Sequence, residues 1–386
     1  METVEIPRHI AWRIYEDLVV AIDLHAQLLY LLRDEALALW KTVASGYPIN
    51  CDDASAVELL RRRLIRQKGA SRCSASPGEV KIEALDFGVI NLWAFRNQIP
   101  LSGHIEFTGQ CNVRCRHCYC VFPSQKDTIG TEAALHLLDE LHDCGTIGLV
   151  LTGGEFLMRR DAVEILRHLQ KRRFVVRLNT NGTLIDERMV NILAEMDNIF
   201  RIHVSLYGAR AEVHDAITQS AGSFAKTIRA IHLLHEAGLR LRINSCVMQG
   251  NFEGYQDIKT EIGDKLGIPV RFDSVIFPKD DGRPSNMDNL LDDEQHIEFN
   301  NFRRLNAGPG EAQKAKLCKA AFSFFAVADD GNVYPCLKMK KHTADSMGNV
   351  LRQTFTEIWQ SSPVTEEIRR PIRERIRNCA ACDLHL

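Results

Sequence analysis

From residue 104 to about 276 the chain repeats one unit, a short strand-like run followed by a helical stretch. The runs are HIEFT, IGLVLT, FVVRLN, FRIHVSL, LRLRINSCVM and VRFDSVI, with helical stretches from Thr131 to Asp143, Asp161 to Lys171, Asp186 to Met196 and Ser223 to Ala237. Strands joined through helices pair in parallel, because a parallel neighbour is reached only by a long crossover. Six such units predict an α/β fold with a parallel sheet, either doubly wound or curled into a partial barrel. In both arrangements chemistry collects at the carboxyl edge, where strands give way to loops.

Each unusual motif lies at such an end. HIEFT runs into Cys111, Cys115 and Cys118; IGLVLT runs into Gly153, Gly154 and Glu155; FVVRLN runs into Thr180, Asn181 and Gly182; IHVSL ends on Ser205, Tyr207 and Gly208. In the fifth run, alternation puts Arg242, Asn244 and Cys246 opposite Leu241 and Ile243. The apolar face is expected to meet the helices and the polar face to point inward.

Twelve cysteines are many for a cytoplasmic chain, where thiols stay reduced, so metal or cluster ligation is the first reading. The cytoplasm is expected because METVEIPRHI lacks the basic-then-apolar start of a signal peptide and no run approaches the ~20 apolar residues of a membrane span. A formal charge of −2 gives no general pull toward nucleic acid or membrane. The spacing supports ligation: Cys111, Cys115 and Cys118 near the front, then Cys318, Cys336, Cys379 and Cys382 near the end. Three thiolates leave a four-cysteine iron–sulfur site one ligand short, so one iron stays open. Zinc is the competing metal, although a structural zinc site wants four closed ligands. The Gly153-Gly154 pair permits close backbone approach and Glu155 offers a carboxylate suited to an ammonium group, so an amino-acid-like cofactor fits beside the open iron.

Residues 1–100 differ in texture. WRIYEDLVVAIDLHAQLLYLL reads as a strand meander turning at Asp23 to Gln27, followed by helices at Arg33 to Val43, after Asp53, and at Phe87 to Phe95. The second helix is expected to bury Val57, Leu60 and Leu64 and to expose Arg61, Arg62, Arg63, Arg66 and Lys68; GASRCSASPGE reads as a linker or wing. The whole is a small winged-helix-like module. From Cys318, FSFFAVADDGNVYPC reads as a hairpin around Asp-Gly, with a short helix near Phe355 to Trp359. The expected organisation is 1–100, 101–306 and 307–386.

These residues resemble the radical S-adenosylmethionine enzymes. Cys111-x3-Cys115-x-His117-Cys118 looks like that family's CX3CXΦC signature and LTGGEFLMRRD like its GGE motif, with Phe156 where proline is common. NTNGTLI and VSLYGARAEVHDAITQSAGSFAKTIRAI resemble its peptide-modifying branch. The resemblance implies a partial (β/α)6 barrel in which Cys111, Cys115 and Cys118 hold a [4Fe–4S] cluster that binds S-adenosylmethionine. It places His117, Gly153, Gly154, Glu155, Asn181, Ser205 and Asn244 around that cofactor, Glu155 at its amine. The tail resembles Twitch or SPASM extensions, which implies that Cys318, Cys336, Cys379 and Cys382 close one auxiliary [4Fe–4S] cluster. The first module resembles the leader-recognition element of ribosomal-peptide maturases, where a precursor's leader adds a strand to the sheet edge against the third helix. By that resemblance the Arg61 to Lys68 cations attract acidic leader residues, and an electron donor such as flavodoxin or ferredoxin serves the enzyme.

The implied activity is oxidative cross-linking of a precursor peptide through a thioether, carbon–carbon or carbon–oxygen bond. Alternatives are a peptide epimerase, with Cys246 giving a hydrogen atom; a small-molecule dehydrogenase; and an iron–sulfur sensor binding DNA through the winged module, though nucleic acid is disfavoured by the charge and by strands that precede the helices. For Cys246 the plain reading is core packing. Cys120 is a bystander or substitute ligand, Cys51, Cys73 and Cys144 read as structural, and His203 and His214 as satisfied structural groups.

Overall fold

The computed structural model describes residues 4–16, 18–50, 53–67, 82–85, 87–121, 128–306, 318–340 and 346–370. The N-terminal part comprises β1 (Val4–Glu5), β2 (Ile10–Tyr15), β3 (Leu18–Asp23), β4 (Leu28–Leu32), α1 (Asp34–Ala44), α2 (Ala54–Arg61), β5 (Arg66–Gln67), β6 (Ile82–Leu85) and α3 (Phe87–Arg96). β2, β3 and β4 form the expected antiparallel meander, and Asp23 fixes its second turn by accepting from the amides of His25 and Ala26, both at 2.8 Å.

Asp53 caps α2 through the amides of Ser55 and Ala56. The face turned inward differs from the expected one: Ala56 and Leu59 are buried, Val57 and Leu60 only partly so, while Leu64 is buried beyond the helix end. The basic cluster is also less open than its sequence suggests. Arg61 and Arg62 both pair with the buried Glu58, at 2.7 and 2.5 Å, and Arg66 pairs with Glu5. Glu58 is held well down, to about 2, chiefly by its hydrogen bond from Arg61. Lys68, Cys51, Cys73 and the GASRCSASPGE loop lie outside the described residues. The sheet order is β2-β3-β4-β6, the last strand being one that the sequence did not suggest.

The alternating region gives β7 (Ser102–Glu106), α4 (Thr131–Asp143), β8 (Gly148–Thr152), α5 (Ala162–Lys171), β9 (Val175–Thr180), α6 (Glu187–Ala194), β10 (Ile199–Ser205), α7 (Ala211–Thr218), α8 (Ser223–Glu236), β11 (Leu241–Cys246), α9 (Asp264–Leu266) and β12 (Val270–Asp273). β7 to β12 are parallel neighbours in sequence order, without the reversal that a doubly wound sheet requires. Right-handed crossovers therefore put the helices on one side, and the sheet curls as a partial barrel. Leu149, Leu151, Val176, Leu178, Ile202, Val204 and Ile243 pack outward with Leu137, Leu141, Ile165, Leu169, Leu193 and Ile231 of the helices. The alternate residues form a polar lumen.

After α10 (Asp293–Leu305) come β13 (Phe324–Val327), β14 (Asn332–Tyr334), β15 (Gly348–Asn349), α11 (Phe355–Ser361) and α12 (Pro363–Arg369). The hairpin turns through Asp330 and Gly331, whose φ of +86° suits glycine. β13 pairs in parallel with β7, Ala326 opposite His104, so the tail continues the barrel sheet to nine strands. At the opposite, amino end of the barrel the N-terminal sheet forms a floor: Val20, Ile22 and Leu29 pack with Leu101 and Ile147, and Arg13 donates to the Thr146 carbonyl at 2.8 Å. Among the described residues no helix is long and apolar enough to cross a membrane.

Candidate active site

The loop after β7 is fixed from three directions. The amides of Gly154 and Glu155 donate to the carbonyls of Thr108 and Gln110 at 2.9 and 2.7 Å. Arg114 and Arg116 donate through their amides to Thr218 and Ile217 at the end of α7, both at 2.9 Å. The fully buried Asn286 amide reaches the carbonyls of His117, Cys118 and Phe277 at 3.1, 3.3 and 2.7 Å. A loop so tied presents Cys111, Cys115 and Cys118, all half-buried, in one preset arrangement.

The two glycines answer to this loop. A methyl on Gly154 would lie 1.9 Å from the Gln110 oxygen, and one on Gly153, with φ +111°, 2.4 Å from the Thr108 oxygen. Their close approach is to the cysteine loop itself, where a ligand was expected. Glu155 likewise faces inward, 1% exposed, its carboxylate accepting from Thr180 Oγ1 at 3.0 Å, the Asn181 amide at 2.8 Å and the Leu157 amide at 3.2 Å. Burial pushes its pKa up to about 7 against those hydrogen bonds. In this arrangement Glu155 acts by positioning Asn181, whose side chain reaches Asn112 at 2.9 Å and lies 3.9 Å from Cys111 Sγ.

His117 packs edge-on against Tyr207, ring centroids 4.8 Å apart, and burial lowers its pKa to about 4. Its Nδ1 is buried and finds no hydrogen-bond partner among the described residues. Ser205 ends β10 beside Asn244 in register on β11, and Asn244 accepts from Arg242 Nε at 3.1 Å. Cys246 packs against Tyr207, Ile217, Met248 and Ile276, the cluster that also receives Cys115; burial raises its thiol to about 12. Cys120 is buried against Cys118 and pushed up by that hydrogen bond, while Cys144 contacts Thr356 at 3.0 Å. His214 Nδ1 accepts the Tyr207 amide at 3.2 Å, and His203 contacts Asn179 at 3.0 Å.

Cys318 and Cys336 line one cavity of about 440 Å³ together with His104 and Tyr119 of the barrel; Cys379 and Cys382 lie outside the described residues. Beside it Lys340, 11% exposed, joins Glu106 (2.7 Å), Asp280 (2.9 Å) and Asp329 (3.1 Å), and Tyr119 donates to Glu106 at 2.9 Å. Sequence reasoning missed Lys340 and Asn286. Neither sits in a motif, because each acts through carbonyls or carboxylates distant in sequence.

Cys111, Cys115 and Cys118 share one pinned loop at the carboxyl end of a partial barrel, although among the described residues no three metal-ligating side chains already stand together as a closed metal site. Burial raises the Cys115 thiol and raises Cys111 to about 11. Iron binding there would offset that cost by taking the place of the proton. The orphaned His117 Nδ1 supplies an unsatisfied polar group beside the same space.

Residues 105–260 match the radical SAM superfamily, and residues 318–383 match the iron–sulfur cluster-binding SPASM domain. The chain therefore binds a [4Fe–4S] cluster with S-adenosylmethionine and further iron–sulfur in the SPASM region. It is 28% identical over 275 residues to the antilisterial bacteriocin subtilosin biosynthesis protein AlbA of Bacillus subtilis, covering 68% of this chain and 60% of that protein. It is 29% identical over 311 residues to the AdoMet-dependent heme synthase of Methanosarcina barkeri, covering 72% and 87%. The fold is that of Streptococcus suis SuiB, solved bound to precursor peptide SuiA, with a TM-score of 0.62 at 14% identity over 95% of this chain and 91% of that one.

Proposed function

We propose that this chain matures a ribosomally made precursor peptide, holding its leader at the N-terminal module and cross-linking its core oxidatively in the barrel. The observation that carries the reading is the cavity shared by Cys318, Cys336, His104 and Tyr119, where an auxiliary cluster would stand beside the lumen. A cross-link removes two electrons from the substrate, and an auxiliary cluster held there would supply an acceptor for the one that remains after hydrogen abstraction. AlbA's role in bacteriocin biosynthesis and SuiB's bound precursor peptide support the peptide class.

Cys111, Cys115 and Cys118 would hold the first cluster, with Cys318, Cys336, Cys379 and Cys382 holding the second. The chemistry supplied by the bound cofactor pair is hydrogen-atom abstraction by a 5′-deoxyadenosyl radical. The protein's part is orientation and exclusion. Glu155 fixes Asn181 near the ribose or carboxylate, with Ser205 and Asn244 on the same rim, while the N-terminal sheet closes the far end against water. Cys246, packed among apolar side chains, is a wall residue. The leader would pair at the outer edge of β6, since carbonyls beside β2 are already taken by Arg173, which donates to Pro7 at 2.6 Å and Ile10 at 2.9 Å.

The test is anaerobic iron and sulfide content with Mössbauer spectra, on wild type and on a variant with Cys111, Cys115 and Cys118 changed to alanine. About eight irons falling to about four are expected. Four falling to none would remove the auxiliary cluster and with it the oxidative reading. The heme synthase relative favours a second reading, a small-molecule substrate. Failure of the N-terminal module to bind any precursor peptide encoded nearby would favour that one.

A further inference from the structure

The lumen is far more basic than its function so far requires. In-register neighbours place Arg201 beside Arg177, Arg242 beside His203, and Arg271 beside Asn244, so four adjacent strands each carry an arginine on the inner face, Arg201 and Arg242 half-buried and Arg177 and Arg271 exposed. Arg177 and Arg201 both lie over the Phe200 ring, 5.4 and 5.3 Å from its centroid. Lys319 joins Arg177 in a cavity of about 200 Å³ under His104, roofed from below by Val20, Ile22 and Leu29.

The counter-charges are few. Of the other ionisable groups on the inner face, His104 and His203 are kept neutral, lowered to about 4 and about 3 by burial and nearby arginines, and Glu106 is engaged by Lys340. Asp273 lies 4.0 Å from Arg271. Arg242 contacts only the neutral Asn244 and His203, at 3.1 and 3.4 Å, among the described residues. Scarcity of acids is not the reason: the chain has 50 acidic against 48 basic residues, and Arg159, Arg172 and Arg229 each find a carboxylate outside the lumen. Like charges gathered in a partly desolvated chamber oppose folding unless an anion joins them.

We propose that the lumen is a carboxylate-binding chamber, and that the substrate enters it with an acidic side chain directed at Arg201 and Arg242. This rests on the peptide reading for its source, a Glu or Asp of the core. The depth fits. Arg242 lies two residues, about 7 Å, below Asn244 along β11. A Glu carboxylate held at Arg242 leaves its own backbone level with Ser205 and Asn244, at the rim where the cofactor's reactive end is expected, while Arg201, about 13 Å below Ser205 along β10, reaches it only by extending its side chain upward.

The test uses the anaerobically reconstituted full chain and three probes: acetyl-Ala-Ala-Glu-Ala-Ala-amide, the same peptide with Gln for Glu, and free glutarate. Calorimetry should show the Glu peptide binding at least tenfold more tightly than the Gln peptide. That advantage should shrink with added salt, fall below twofold in the Arg201→Gln/Arg242→Gln variant, and survive in Arg242→Lys. Equal binding of the two peptides without glutarate binding, or an unchanged Glu preference in the double variant, overturns the chamber. Arginine-dependent binding of glutarate without the Glu peptide keeps the chamber and overturns its peptide source. Thermal unfolding without ligand gives an independent reading: Arg201→Gln should raise the midpoint by relieving repulsion, and a lowered midpoint would mean that the arginine has a folding partner and would overturn the inference.

Discussion

Gly154→Ala asks whether the contact with the turn after β8 sets the cysteine loop. The added methyl would lie 1.9 Å from the Gln110 oxygen, 1.1 Å inside the 3.0 Å below which such contacts essentially never occur. The obstructing atoms are backbone, so no side chain can swing aside. Opening that gap stretches the 2.7 Å bond from the Glu155 amide and the 2.9 Å bond from the Gly154 amide beyond hydrogen-bond range. Two lost bonds, with the cost of leaving their groups buried, amount to about 3 kcal/mol. For a chain of this length that lowers the melting midpoint by about 4 °C. Reconstituted variant protein should also lose the irons of one cluster, about four per chain. Gly250→Ala is the control, its nearest contact being Ile217 at 3.8 Å, and should change neither quantity. A Gly154→Ala protein with wild-type iron and an unchanged midpoint would refute the reasoning, because the loop would then owe its position to other ties.

Asn286→Ala should cost about 3 kcal/mol in denaturant titration by stripping three buried carbonyls of their donor; a loss under about 1 kcal/mol would mean that water replaces the amide. Lys340→Met should cost about 3–5 kcal/mol at neutral pH by leaving three carboxylates facing one another. Burial already raises the Glu106 pKa, so the penalty should shrink as pH falls and that group protonates; a pH-independent penalty would contradict this. Glu155 titrates near 7 in the folded state and lower when unfolded, so its contribution is greatest below the unfolded pKa and is lost as pH rises through 7. Denaturant titrations should show about 2 kcal/mol of stability lost between about pH 5.5 and 7.5 that Glu155→Gln does not lose.

The barrel was legible because parallel strands and amphipathic helices have different periods, and the cysteine spacing marked its working end. What escaped was whatever depends on register between distant segments. The sequence placed Gly153 and Gly154 at a close backbone approach but could not say that Thr108 and Gln110 of the cysteine loop are among what they approach. Glu155 was visible as a carboxylate at a strand end, yet only Thr180 and Asn181 show that it faces inward. Helix α2 was found by its Asp53 cap, whereas its rotation followed from Glu58 drawing Arg61 and Arg62 across its surface. Arg242 was expected inside, but the gathering of arginines became apparent only with the pairing of β9 to β12.

The pairing of β13 with β7 ties the cysteine-bearing tail to the barrel through one continuous backbone ladder. Cys111 follows one of these strands and Cys318 precedes the other, and neighbouring strands keep a spacing of about 4.8 Å through their backbone hydrogen bonds. Tunnelling rates decay steeply with separation, so a flexible tether between two redox centres would make transfer intermittent. Under the function proposed above, the same ladder that joins the tail to the barrel would hold the two cysteine groups in a set relation, and a slip in its register would alter transfer between them without touching a single thiol.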